Sequence, residues 1–321
     1  MSIPFSESYP NGYSNRSRQR MYKRRKRSRG LSRRRSQSRF IPKAKEQTKQ
    51  RNKAKERCLR SDRSNKIWDW MSFLTSECKN CPNGRRHSGN GGKIAEQWLI
   101  KTFKKLNFRV STYPIFHNGK WLGTDNIIAK QKKSSRLAPL VVMAHYDHLG
   151  PGFPGADDNA SGVACMLAVV LHANQQKTRR PIWALATTGE EDGLLGSKDI
   201  VERMVVPRDS IIVNLDMVGR RDKCLTCDGR SPEMKNLQNI ILSNDIGIKK
   251  SDIYSEPRWA GRADYSAFLD SEEYYPTVIN FTVEDHDRYH TSSDILTDEY
   301  IDTIRINSLA KLIVRIANLD L

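Results

Sequence analysis

The sequence contains no run of about 18 apolar residues, so no membrane-spanning helix is expected. Its first residues lack the apolar centre that a secretory signal needs. Cysteine is scarce, six in 321 residues, and forms no obvious disulfide ladder. These features favour a reducing, cytoplasmic compartment. Two catalytic signatures are also missing. There is no G-x-S-x-G elbow, which argues against a serine nucleophile. There is no H-E-x-x-H helix, which argues against a zinc site of that kind.

Lysine and arginine are abundant, with a formal net charge of +19. Such an excess ordinarily points to a nucleic-acid partner. Here it is confined to one segment. Residues 1–66 hold 23 Lys/Arg and 4 Asp/Glu, and the remainder holds 32 of each. Runs such as Lys23 to Arg27 and Arg33 to Arg35 repel themselves, and aliphatic residues are too sparse for a core. Residues 1–66 therefore read as a disordered basic arm. It could touch nucleic acid non-specifically through phosphates, act as a targeting segment, or be a solvated extension.

Composition changes near Ile67, where Ile67, Trp68, Trp70, Phe73 and Leu74 form the first dense apolar cluster. Residues 67–321 read as one domain. A Gly- and Asn-rich loop over Asn83–Gly92 precedes an amphipathic helix from about Lys93 to Lys105. Strands are expected at Leu140–Ala144, Ile182–Ala186, Ile211–Leu215 and Thr277–Val283. Helices are expected at Ser161–Ala173, Leu195–Met204, Pro232–Asp245 and Asp298–Leu319. Strands alternating with helices imply an α/β fold, with a central, mostly parallel mixed sheet covered on both faces.

The polar residues that follow those strands carry the chemistry. The first strand runs into His145, Tyr146, Asp147 and His148. The second runs into Thr188, Gly189, Glu190, Glu191 and Asp192. The third runs into Asp216, and the fourth into Glu284, Asp285, His286, Asp287 and His290. Gly155-Ala-Asp-Asp-Asn159 opens the helix after the first strand. Singly, each of these is ordinary: an H-x-D is commonly a surface pair, and Asp-Asp-Asn before a helix is commonly a cap. Jointly they bring carboxylates and imidazoles to one sheet edge, where open α/β sheets place their sites. Like charges so close are costly without a counter-charge. Donors of the His, Asp and Glu type suit zinc, manganese or cobalt. Two ions sharing a carboxylate, roughly 3.5–4 Å apart, would balance the set.

Five segments resemble the motifs of the co-catalytic zinc aminopeptidases, in family order. They are His145-Tyr-Asp-His-Leu-Gly150, Gly155-Ala-Asp-Asp-Asn-Ala-Ser-Gly162, Thr188-Gly-Glu-Glu-Asp-Gly-Leu-Leu-Gly-Ser197, Asn214-Leu-Asp-Met-Val-Gly219 and Tyr289-His-Thr-Ser-Ser-Asp294. The family includes bacterial leucine-type aminopeptidases and is related to glutamate carboxypeptidases and glutaminyl cyclases. The resemblance runs from about Arg86 to the C-terminus. It implies two divalent ions, zinc first, with manganese or cobalt as alternatives. His145 and Asp216 would serve one ion, Glu191 and His290 the other, and Asp158 would bridge them. It further implies a cis peptide after Asp158, a general base at Glu190, and an Asp147 that orients the His145 imidazole. The implied substrates are peptides with a free amino terminus.

One departure stands out. Where the family often has Ser-Asp-His, this chain has Arg262-Ala-Asp264-Tyr265, so a contact around the site is expected to differ. Cys78, Cys81, Cys224 and Cys227 form two C-x-x-C pairs, which would need to meet in space to hold zinc. Two rival readings stand beside the aminopeptidase. One is a single-zinc glutaminyl cyclase-like acyltransferase. The other is a nucleic-acid-binding protein on a peptidase scaffold.

Overall fold

The computed structural model describes residues 66–77, 84–271, 274–284 and 287–320. The basic arm, except Lys66, lies outside them, as do Cys78, Cys81, Asp285 and His286. The strands are β1 (Arg109–His117), β2 (Lys120–Lys130), β3 (Leu140–His145), β4 (Ile182–Thr187), β5 (Ile211–Leu215), β6 (Leu225–Arg230) and β7 (Thr277–Val283). The helices are α1 (Lys66–Ser72), α2 (Asn90–Lys105), α3 (Gly162–Gln175), α4 (Leu195–Glu202), α5 (Met234–Leu242), α6 (Ser266–Leu269) and α7 (Thr303–Ile316).

The seven strands form one sheet in the order β1-β2-β4-β3-β5-β7-β6. The four central strands are parallel, while β1, β2 and β6 join antiparallel at the edges. The expected α/β architecture is therefore present. β3 lies between β4 and β5, so the chain leaves it to one side and returns on the other. That crevice is where a parallel sheet opens a site beyond its carboxyl ends.

Side-chain alternation along β3 explains the two covering layers. Leu140, Val142 and Ala144 face a core built with α1, α2, α3 and α7. Val141 and Met143 face the other, with Ile200, Tyr265, Phe268 and Tyr275. α3 is buried on nearly every side, which is why its sequence is apolar throughout.

Several boundaries differ from the sequence reading. α2 starts at Asn90, inside the expected loop, because Gly92 lets the first turn pack against the Arg85 and Arg86 carbonyls, where any side chain would collide. α7 starts at Thr303 because Asp302 caps it, accepting from the N–H groups of Ile304 and Arg305, both at 3.1 Å. Three strands, β1, β2 and β6, lay outside the expected set. Cys224 is exposed and Cys227 is buried in β6, and both are free thiols.

Candidate metal centre

The ends of β3, β4 and β5, with the loop after β7, bring the expected side chains together. His145 closes β3 and is 2% exposed. Its Nδ1 donates to the carbonyl of Asp147 at 3.3 Å and lies 3.7 Å from Asp147 Oδ1. That fixes the tautomer and leaves the Nε2 lone pair turned to the cluster. Nε2 lies 3.3 Å from Asp158 Oδ1 and 3.4 Å from Asp216 Oδ1. On the other side, His290 Nε2 lies 3.4 Å from Asp158 Oδ2 and 3.0 Å from Glu191 Oε2. The two oxygens of one carboxylate thus face two different imidazoles.

Among the described residues, one ligand atom from each member lies within 4.8 Å of the others in two sets, His145–Asp158–Glu191 and His145–Glu190–Asp216. All seven residues expected at the site are therefore neighbours. Asp147 links two of the loops, since its carboxylate accepts from the N–H groups of Glu190 and Glu191, both at 3.4 Å.

The loop bearing Asp158 is held by residues to which sequence reasoning assigned no role. The Asp158–Asn159 peptide is cis, as the resemblance implies. Asp294 accepts from the N–H groups of Asp157 and Asp158 at 2.8 and 3.0 Å. Asn159 donates to the Leu215 carbonyl at 2.8 Å and accepts from Gly162 N at 2.9 Å, tying this loop to the end of β5. Gly162 must be glycine, because a Cβ there would collide with both Asn159 and Leu215. Asp157 accepts from Gly219 N at 2.7 Å. Asp294 and Asn159 sit inside the quoted motifs, and that position was the only available signal. Arg85, 1% exposed, gave none. Its guanidinium donates to the carbonyls of Leu74, Tyr146, Pro154 and Gly155. His290, together with Met217 beside Asp216, adopts a left-handed backbone that non-glycine residues rarely take.

The electrostatics are those of a site short of positive charge. Burial, then the neighbouring Asp216, Asp264 and Glu191 carboxylates, hold Glu190 well above the ordinary carboxylate range, although His145 opposes them. Burial and Asp158 push Glu191 up to about 7 against the pull of His290. Burial disfavours a charged His145, yet Glu190 and then Asp147, Asp158 and Asp216 outweigh it and raise its pKa. The cluster attracts a cation, whether a proton or a metal ion. His290 Nε2 is buried and faces the Glu191 and Asp158 carboxylates.

Tyr265, the departure from the family pattern, turns away from the cluster. Its hydroxyl donates to Asp228 Oδ2 at 2.6 Å and accepts from Trp259 N at 3.0 Å. Asp264 instead meets the Thr187 hydroxyl beside the cluster. A cleft of about 230 Å³ opens next to Asp158, Glu190 and Asp216, and Met217, Trp259, Ala263 and Tyr289 contribute its apolar surface.

A mixed α/β sheet that gathers imidazoles and carboxylates at the carboxyl edge of its parallel strands, beside a partly apolar cleft, has the form of a ligand-binding site. Residues 126–317, well over half of the chain, match the profile of peptidase family M28, and the chain belongs to that family. Among curated relatives, it is 37% identical over 101 residues to aminopeptidase YwaD of Bacillus subtilis, covering 30% of this chain and 22% of that protein. It is 24% identical over 175 residues to a vacuolar membrane protease of Schizosaccharomyces pombe, covering 53% of this chain and 20% of that protein. The chain thus spans about a fifth of the length of these relatives. In fold it is similar to BSAP, a zinc aminopeptidase from Bacillus subtilis, with a TM-score of 0.63, 16% identity and coverage of 79% of this chain and 95% of that one. It is likewise similar to the LapA aminopeptidase of Legionella pneumophila, with a TM-score of 0.64, 22% identity and coverage of 79% and 70%. Among the described residues, no helix is long and apolar enough to cross a membrane.

Proposed function

We propose that residues 67–321 form a metal-dependent aminopeptidase that hydrolyses the first peptide bond of substrates with a free amino terminus. In this reading two divalent ions, zinc first and manganese or cobalt as alternatives, are held by His145 and Asp216 on one side and by Glu191 and His290 on the other, with Asp158 between them. One observation carries the reading: Asp158 turns Oδ1 to His145 and Oδ2 to His290. The donor chemistry fits. All donors are nitrogen or carboxylate oxygen, the crowded carboxylates need a counter-charge, and His290 Nε2 is turned to the Glu191 and Asp158 carboxylates. Support also comes from the names of similar proteins, an aminopeptidase in Bacillus subtilis and zinc aminopeptidases among the structural neighbours.

Bound ions of this kind supply Lewis acidity to an amide carbonyl and make water a better nucleophile. The remaining work falls to the chain. Glu190 lines the cleft beside Asp158 and Asp216. From there its carboxylate would take a proton from the attacking water and return it to the leaving nitrogen. Asp147 holds His145 and the Glu190–Glu191 turn in register. The carboxylates of Asp158, Glu190 and Asp216 along the cleft would favour a free ammonium group over a blocked one.

The test uses aminoacyl anilides with free and acetylated amines. The native enzyme should cleave only the former and lose activity to a chelator. Glu190→Gln should lower kcat by about 10²–10⁴-fold with its metal content unchanged. Cleavage of acetylated substrates overturns the aminopeptidase reading, and near-native turnover by the variant overturns the base assignment.

A further inference from the structure

The cleft beside the cluster carries one charge that the chemistry above does not use. Arg262 lines it together with Asp158, Glu190 and Asp216. The other arginines around this region are engaged. Arg258 pairs with Glu284 and lies over the Tyr254 ring. Arg220 pairs with Asp222 and Asp287. Arg85 is consumed by backbone carbonyls. Among the described residues, the Arg262 side chain makes no ion pair and no hydrogen bond, and it is exposed.

The backbone beneath it is nevertheless pinned. Asp228, buried on β6, accepts from Arg258 N at 2.6 Å and from the Tyr265 hydroxyl at 2.6 Å. That hydroxyl also receives Trp259 N at 3.0 Å. Arg262 N donates to the Trp259 carbonyl at 3.0 Å, and Gly261 N to Ser266 Oγ at 2.7 Å. The loop is therefore a fixed platform for its side chains, and a cation held ready loses less freedom on binding than one on a mobile loop. Its neighbours supply apolar surface, with Trp259, Met217 and Tyr289 along the same cleft. A short methylene stem can lie on such a wall while a carboxylate at its end meets the guanidinium, a pairing that arginine makes in bidentate form.

We propose that Arg262 is a specificity determinant that selects an acidic side chain at the substrate's amino-terminal residue, so that peptides beginning with glutamate or aspartate are the preferred class. The inference rests on the aminopeptidase reading. The Tyr265–Asp228 contact is a positioning element in it, because it sets the loop from which Arg262 projects.

The experiment compares kcat/KM for the anilides of glutamate, glutamine and leucine, which separates charge from size. The native enzyme should favour glutamate over glutamine by about tenfold or more, the scale of one charge-assisted pair. Arg262→Ala should bring the ratio to about one, mainly through KM, and Arg262→Lys should keep part of the preference. Because the readout is a ratio within one variant, a general loss of activity does not mimic it. A native ratio of one or below, or a ratio unmoved in Arg262→Ala, overturns the inference while leaving the aminopeptidase reading intact. A preference seen only with free dipeptides would assign Arg262 to the main-chain carboxylate and overturn it too. If none of the anilides is cleaved by metal-loaded enzyme, the aminopeptidase reading fails and takes the inference with it.

Discussion

Replacing Arg85 with alanine probes how the loops around the metal centre are held. The guanidinium is buried, and its acceptors include Leu74 O at 2.8 Å, Tyr146 O at 3.2 Å, Pro154 O at 3.1 Å and Gly155 O at 2.9 Å. They come from three separate stretches of chain. A hydrogen bond to a charged group contributes about 1.5–3 kcal/mol. A simple sum overshoots, because water enters the space vacated by the side chain and satisfies some of the carbonyls. Each carbonyl left buried without a donor costs about 1–3 kcal/mol, so with some of them satisfied by water a loss of about 3–5 kcal/mol is expected for Arg85→Ala. It is a large share of the roughly 5–15 kcal/mol that a folded domain has to spare. Lysine keeps the charge but cannot reach all four carbonyls, so Arg85→Lys should lose about half as much. Urea unfolding at fixed pH measures this as a shift in midpoint with an unchanged slope. A loss below about 1 kcal/mol for Arg85→Ala would refute the view that this side chain fastens the loops.

Two further outcomes follow from buried polar groups. Tyr265→Phe keeps the ring but removes the hydroxyl from Asp228 and Trp259, so it should cost about 1.5–3 kcal/mol in urea unfolding; a loss under about 0.5 kcal/mol would contradict the role given to that contact. His148 is driven from its ordinary 6.5 to about 2, first by burial and then by the Arg85 cation. The backbone N–H groups of Arg85 and Gly150 face its two ring nitrogens, so a second ring proton finds no acceptor. The unfolded chain therefore takes up a proton below pH 6.5 that the folded chain refuses. Stability is full above that pH and falls by about 1.4 kcal/mol per unit as the solution becomes more acidic. The stability advantage of the native protein over His148→Asn should narrow at that rate, and a constant difference between pH 7 and 5 would contradict it.

The parts of the fold that were legible are those with a strong period or a strong chemical pattern. β5 and β7 lie within residues 211–215 and 277–283 as expected, because they are fully buried and read as unbroken apolar runs. β1 is mostly exposed at the sheet edge, so its polar residues carry no alternation to detect. β6 contains Asp228 and Gly229, residues depleted in strands, and the Cys224–Cys227 pair at its start invited a metal-site reading together with Cys78 and Cys81. At the site, residues quoted from five motifs converge because each motif follows a strand whose carboxyl end points to one edge. The supports were harder to see. Arg85 binds backbone carbonyls as far as 70 residues away, and backbone acceptors leave no trace in side-chain pattern. Tyr265 could be recognised as a departure, but its partner Asp228 lies on a strand that the sequence did not reveal.

The most direct measurement is the metal content of the purified, metal-loaded protein and of Asp158→Ala. The account predicts two zinc ions per native chain and a fall at both positions in the variant, since one carboxylate serves the pair. A native chain that binds only one ion, or a variant that still binds two, would contradict it.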